Sequence, residues 1–321
     1  SLTPGKVKIA THQRIIDAGF KITSIDEEGG IIDYGYDSFA KSRYSKKTIE
    51  QSSAVFSWGA DDADTLKRIY SNYSSKIHKT GSPRVDTWKS KFSNYWVTPL
   101  NIPTNPFLLI SSNVPFANSN NNIKPLHERL KQLGSSGYLD NDLAAEENYK
   151  DEIIGPAEEF RRLMSFKKAI KYLSKHNNGY DIVLRPHPHE NIDAWKILLK
   201  GLPNVHVRKD GSITTWINKS FAVMHNSCTT ALEATISGKP LLTYVPFKME
   251  HSRELANHLG YRVETEEQLL KKVNELFNSI KSDDKIKVDQ ELPEIIEKKI
   301  FYDADELSAE KMINVWENLD N

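Results

Sequence analysis

Along the second half of the chain, short apolar runs alternate with longer stretches in which apolar residues recur every third or fourth position. A continuous apolar run of four or five residues marks a strand buried on both faces, and the longer period marks one face of a helix. Residues 181–184, 205–208, 221–225 and 241–245 read as strands. Before the first of them, 157–176 carries Phe160, Leu163, Met164, Ala169, Ile170 and Leu173 at helical spacing. Shorter helices are expected at 192–199, at 213–218 with Ser212 as its cap, and at 229–237. Two or three helices close the chain. Strands separated by helices of this length imply crossover connections and a parallel sheet.

The first hundred residues show the same alternation more loosely. A helix at 12–18 leads through Gly19 to a strand at 20–25, and a second strand at 54–57 is followed by Trp58-Gly59. Asp61 or Asp62 then caps a helix reaching Tyr70, and a strand at 76–80 ends in Gly81-Ser-Pro-Arg84, expected to be a loop. Residues 101–125 are rich in Asn, Pro and Ser, with a strand at 107–111 inside them. The domain boundary is placed at the start of that segment, giving domains 1–100 and 101–321. The polar tract 118–122 reads as a solvated loop, and no internal repeat is visible.

Composition narrows the function classes. The 321 residues include 43 basic and 43 acidic ones, a balance unlike the basic excess of nucleic-acid-binding proteins. Hydrophobic residues make up 38%, enough for sizeable cores. The single Cys228 leaves no disulfide framework and no cysteine-rich zinc site, and suits a reducing compartment. No apolar run approaches the roughly 18 residues that span a bilayer.

In an open parallel sheet, ligands bind beyond the carboxyl ends of the strands, and unusual residues gather there. Ser227, Thr229 and Thr230 follow the strand ending at His225 and crowd the first turn of the next helix, an arrangement suited to a phosphate or to plain capping. Glu233, one turn on, is placed to accept from ribose hydroxyls, unless it is only a surface residue. In Arg185-Pro-His-Pro188, the two prolines stiffen a turn that aims His187, which would donate to the same phosphate or assist a leaving group. Arg185 would help there or form a structural ion pair; His189 and Glu190 read as solvated turn residues. In Asp26-Glu-Glu-Gly-Gly30, mutual repulsion is expected to raise one carboxyl pKa and make it a general base. Glu28 is preferred to Glu27 because it abuts two glycines that let a substrate approach; a solvated acidic turn is the alternative.

These stretches, in order, resemble a known family. Glu27-Glu-Gly29, Trp58-Gly59, Gly81-Ser-Pro-Arg-Val-Asp86, Arg185-Pro-His-Pro188 with Glu190-Asn191, Ser227-Cys-Thr-Thr-Ala-Leu-Glu-Ala234 and Gly238-Lys-Pro240 look like the bacterial surface carbohydrate biosynthesis proteins. That family is related to capsule-synthesis and β-Kdo glycosyltransferases of the GT-B fold, and the likeness covers nearly the whole chain. The acidic stretch and the His-Pro pair are also similar to two motifs of bacterial sialyltransferases. The resemblance implies an α/β protein of two Rossmann-like domains facing a cleft, with the N-terminal domain incomplete in this chain. It implies metal-independent sugar transfer from a nucleotide donor, CMP-Kdo or a related CMP-sugar favoured, to a glycan or lipid-linked glycan acceptor of capsule or lipopolysaccharide. No cofactor or nucleic acid is implied, and the place of work is the cytoplasm or the inner face of the cytoplasmic membrane. Glu28 or Glu27 would be the base; Arg185, His187, Ser227, Thr229 and Thr230 would hold the donor phosphate, and Glu233 the ribose. A nucleotide-sugar epimerase, a polyol-phosphate transferase and a non-catalytic assembly scaffold are the alternatives.

Overall fold

Ala54-Val-Phe-Ser57 is the most apolar run of the first hundred residues, and it forms a strand buried along its whole length. The computed structural model describes residues 6–29, 36–119, 142–248, 255–282 and 294–319. In it, β1 (Thr23–Ile25), β2 (Ala54–Ser57) and β3 (Ile77–Lys79) form a parallel sheet in that order. Alternate side chains of β2 leave opposite faces of the sheet. Val55 packs with Ala40, Tyr44, Ile49, Ala63 and Leu66, whereas Ala54 and Phe56 pack with Met312.

Met312 belongs to the closing helix Ser308–Glu317, so the end of the chain covers the first sheet. The chain divides into one compact unit of Ser1–Asn94, Arg253–Leu255 and Asp289–Asn321, and a second of Tyr95–Ser252 and Ala256–Val288. A single cut at residue 100 therefore differs from the observed division: the tail returns. Its anchor is Asp86, whose buried carboxylate accepts from the Ser308 and Ala309 amides at 3.0 Å each and caps the closing helix. Lys89, also buried, lies 3.3 Å from the same carboxylate. The Gly81-Ser-Pro-Arg stretch, expected as a loop, instead starts the short helix Pro83–Asp86 with Ser82 as its cap, and so delivers Asp86 to the tail.

The second unit contains β4 (Phe107–Ser111), β5 (Asp181–Arg185), β6 (Val205–Val207), β7 (Ala222–His225), β8 (Leu241–Tyr244) and β9 (Tyr261–Val263). All neighbours are parallel, in the order β6-β5-β4-β7-β8-β9. The four inner strands are buried at every residue, as continuous apolar runs require. The helix Asp142–His176 runs on through Pro156 and starts well before the expected residue 157. Leu163, Phe166, Ala169, Ile170 and Leu173 of this helix enter the core against Leu108, Ile110 and Leu184. Phe160 and Met164, expected on the same face, are instead 58% and 40% exposed. Among the described residues, no helix is long and apolar enough to cross a membrane.

Candidate functional site

The strand order locates the site. The chain lays β4, β5 and β6 outward in one direction, then returns to the other side of β4 for β7, β8 and β9. This is the doubly wound order, and the connections leaving β4 and β7 diverge to open a crevice at their carboxyl ends. Ser111 pairs in register with both Arg185 of β5 and His225 of β7. The three loops that leave β4, β5 and β7 therefore start at one level of the sheet. β5 and β7 themselves are two strand spacings apart, about 10 Å, with the β4 loop between them.

The β7 loop opens with Ser227 in the left-handed region at φ 57°, the one described non-glycine residue with positive φ. Conformations of this kind in non-glycine residues persist where the surroundings enforce them, and they cluster at binding sites. Here asparagines enforce it. The Ser227 amide donates to Asn257 Oδ1 at 2.7 Å, Asn257 Nδ2 donates to Ser227 Oγ at 2.8 Å, and Ser227 Oγ donates to Asn226 Oδ1 at 2.8 Å. Asn113 of the β4 loop donates to the Ser227 carbonyl. Thr229 is exposed, at the start of the helix Thr230–Ile236, and its side chain makes no capping bond. Thr230 is buried, and its hydroxyl lies 3.1 Å from Ser111 Oγ and 3.0 Å from Cys228 Sγ. That hydroxyl stitches β4 to the helix, and burial pushes the Cys228 thiol up and keeps it neutral. Of the expected hydroxyl ligands, Thr229 is the one presented outward. Glu233 is 3% exposed, a buried carboxylate in the first turn of the helix, where the helix dipole favours negative charge.

On the β5 loop, His187 is half-buried, and burial lowers its pKa. Its Nδ1 accepts from the His189 amide at 3.3 Å, so the neutral ring carries its proton on Nε2. Arg185 is turned elsewhere: it is buried, its guanidinium donates to the carbonyls of Asp210 and Gly211, the latter at 3.0 Å, and it stacks 5.5 Å from the Trp216 ring. Burial lowers its pKa to about 10, which leaves it cationic at neutral pH. It shapes the 210–211 loop.

Glu190 overturns the expectation of a solvated turn residue. It is fully buried, with both oxygens engaged. Oε1 accepts from the Val114 amide at 3.0 Å and the His187 amide at 3.2 Å, and Oε2 from the Trp195 indole at 2.6 Å. Ser112 Oγ lies 3.1 and 2.9 Å from the two oxygens. Sequence reasoning missed it because two of its donors, Ser112 and Val114, lie 78 and 76 residues earlier in the chain. The β4 loop is held from the helix side as well. Glu159 accepts from the Phe116 and Ala117 amides at 2.7 and 3.1 Å, and Arg162 donates to the Asn113 carbonyl at 2.7 Å.

The acidic turn after β1 lies in the first unit. Asp26 there is ion-paired to Arg43 at 2.6 Å, and its backbone carbonyl accepts from the Trp58 indole at 2.5 Å. Burial acts to raise the Asp26 pKa, but the Arg43 hydrogen bonds, the Glu28 amide and the Arg43 charge outweigh it and leave the pKa lowered. At Asp26 the shift is therefore downward, because an arginine sits among the carboxylates. Glu28 is 61% exposed and lies 3.3 Å from the same arginine, and Glu27 is exposed. A Cβ at Gly29 would fall 2.0 Å from the Trp58 ring, so the missing side chain makes room for tryptophan rather than for a substrate. Gly30 lies outside the described residues, as do 120–122 of the polar tract.

No protein-family model and no curated protein matches the sequence. In three dimensions the chain is similar to UDP-GlcNAc 2-epimerases. The enzyme from Methanocaldococcus jannaschii has 14% identity and a TM-score of 0.53, covering 98% of this chain and 75% of that one. MnaA of S. aureus, solved with UDP, has 14% identity and a TM-score of 0.51, covering 97% and 72%. The Neisseria meningitidis enzyme, solved with UDP-GlcNAc, has 15% identity and a TM-score of 0.50, covering 99% and 75%. At this identity the likeness shows the fold: an α/β protein with two parallel-sheet domains of the GT-B type.

Proposed function

We propose that this protein is an enzyme of surface carbohydrate biosynthesis that acts on a nucleotide-activated sugar, and that it epimerises the sugar rather than transferring Kdo. The supporting observation is the β4–β7 switch point: the loop with strained Ser227 and outward Thr229 leaves β7 there, and the loop of His187 leaves neighbouring β5, beside the crevice in which doubly wound sheets take nucleotides. The fold shared along almost the whole chain with UDP-GlcNAc 2-epimerases favours a UDP-sugar over the CMP-sugar implied by the resemblance.

In this reading, Thr229 and the β7 loop receive the diphosphate, and neutral His187 donates to it through Nε2. Glu233 holds the ribose, and Arg185 acts indirectly by shaping the 210–211 loop. Glu28, with Glu27 beside it, is the proposed base that removes a proton from the sugar. Epimerisation needs no acceptor, which separates it from transfer. Incubation with UDP-GlcNAc in D2O, followed by proton NMR, tests the reading. A second UDP-sugar with deuterium at the inverted carbon is expected. Unchanged UDP-GlcNAc, together with turnover of CMP-Kdo only when a glycan acceptor is present, would restore the transferase.

A further inference from the structure

We propose that Glu190 is the positioning residue of this site, holding His187 and the β4 loop in the one register that admits the nucleotide diphosphate. The inference rests on the reading of the β4–β7 crevice as a nucleotide site. Its basis is the way one carboxylate is divided. Oε2 is moored in the core by the indole of Trp195, itself fully buried, from the helix Ile192–Leu198. Oε1 takes the amides of Val114 and His187, one from each loop beside the crevice. A single atom thus sets the spacing of two adjacent loops.

The chemistry calls for a carboxylate here. The four groups around it, the Ser112 hydroxyl, the Val114 and His187 amides and the Trp195 indole, can all donate, and an ionised carboxylate only accepts. A carboxamide of the same shape turns an N–H towards one of those donors. Neighbouring contacts hold the same two loops together: the Asn191 amide donates to the Asn118 carbonyl at 2.9 Å, and Asn118 Nδ2 donates to the Asn191 carbonyl at 2.9 Å. The aim of His187 is therefore built from its backbone outward. The charged and titratable groups around the ring are Glu190, which favours its protonated form, and His189 and Lys209, which oppose it.

Glu190→Gln in the full chain tests the proposal through three readouts: thermal melting, NMR titration of the His187 ring, and calorimetric titration with UDP. The variant is expected to melt cooperatively, to titrate His187 at lower pH than the wild type, and to bind UDP at least tenfold more weakly. In the Glu190→Gln/His187→Asn double variant, the loss of UDP affinity should be smaller than the two single losses combined, because Glu190 acts in part through His187. Fully additive losses would overturn the proposal. So would a variant that melts earlier yet keeps wild-type UDP affinity and His187 titration, since Glu190 would then serve only the core. If Glu190→Gln fails to fold, Trp195→Phe releases the Oε2 mooring alone; weaker UDP binding supports the proposal, and unchanged binding overturns it. Failure of the wild type to bind UDP would remove the nucleotide site, while the His187 titration still decides whether Glu190 governs that ring.

Discussion

At the scale of residues, the second unit stores an acid sensitivity in His225. Its ring is completely buried at the end of β7, with Nε2 2.8 Å from Thr243 Oγ1, and burial lowers its pKa from 6.5 to about 3. The unfolded chain takes up a proton below pH 6.5 and the folded chain does not, so stability falls as pH drops through that window. Each pH unit corresponds to about 1.4 kcal/mol, which predicts a loss of about 2 kcal/mol between pH 6.5 and pH 5. Glu159 works in the opposite sense, because burial raises its pKa to about 7. The comparison of wild type with His225→Gln isolates the histidine: denaturant unfolding at the two pH values should show a smaller acid loss in the variant. Equal losses would mean that His225 is protonated in the fold. In the first unit, Glu28→Gln preserves shape and removes the proposed base, so if Glu28 has that role the proposed turnover of UDP-GlcNAc should fall by roughly 10²–10⁴ with UDP binding unchanged. If Glu28→Gln and Glu27→Gln both keep full turnover, the acidic turn is only a turn.

At the scale of elements, the Trp58-Gly59 pair joins the end of β2 to the tail. The Phe301 amide donates to the Trp58 carbonyl at 2.6 Å, the Asp61 amide donates to the Lys298 carbonyl at 2.9 Å, and a Cβ on Gly59 would meet the Lys299 backbone at 2.4 Å. Backbone cannot swing aside as a flexible side chain does. Gly59→Ala is therefore expected to cost about 1–3 kcal/mol, the range of an overpacked core, measured as a lower denaturation midpoint. An unchanged midpoint would show that the tail yields. The inner strands of both sheets were legible in the sequence to within a residue or two, because a strand buried on both faces must be a continuous apolar run. The helices Tyr36–Arg43 and Lys46–Gln51 were not read, since charged residues break their apolar pattern; the Ser45–Thr48 capping box was the local signal available. Glu190 was misread as solvated, and the role of Asp86 was not visible, for a different reason. The partners of Asp86 lie at residues 308 and 309, and two of those of Glu190 at 112 and 114, and no local period encodes such distances.

At the scale of the molecule, two parallel sheets built from one chain, with its tail returned to the first, give a scaffold on which the second sheet carries a complete switch point. The candidate site residues on that sheet were legible as motifs, but their separate placements were not. Arg185 and Thr230 turned inward, Thr229 outward, and a buried carboxylate took charge of the loop beside His187. Every role proposed for these residues requires that the β4–β7 crevice receive a nucleotide diphosphate. Calorimetric titration of UDP into the wild type and Thr229→Ala tests it most directly. One UDP per chain is expected, bound about 1–3 kcal/mol more weakly by the variant through loss of a hydrogen bond to a charged phosphate. Absence of binding by the wild type, or equal affinity in a folded Thr229→Ala, would contradict it.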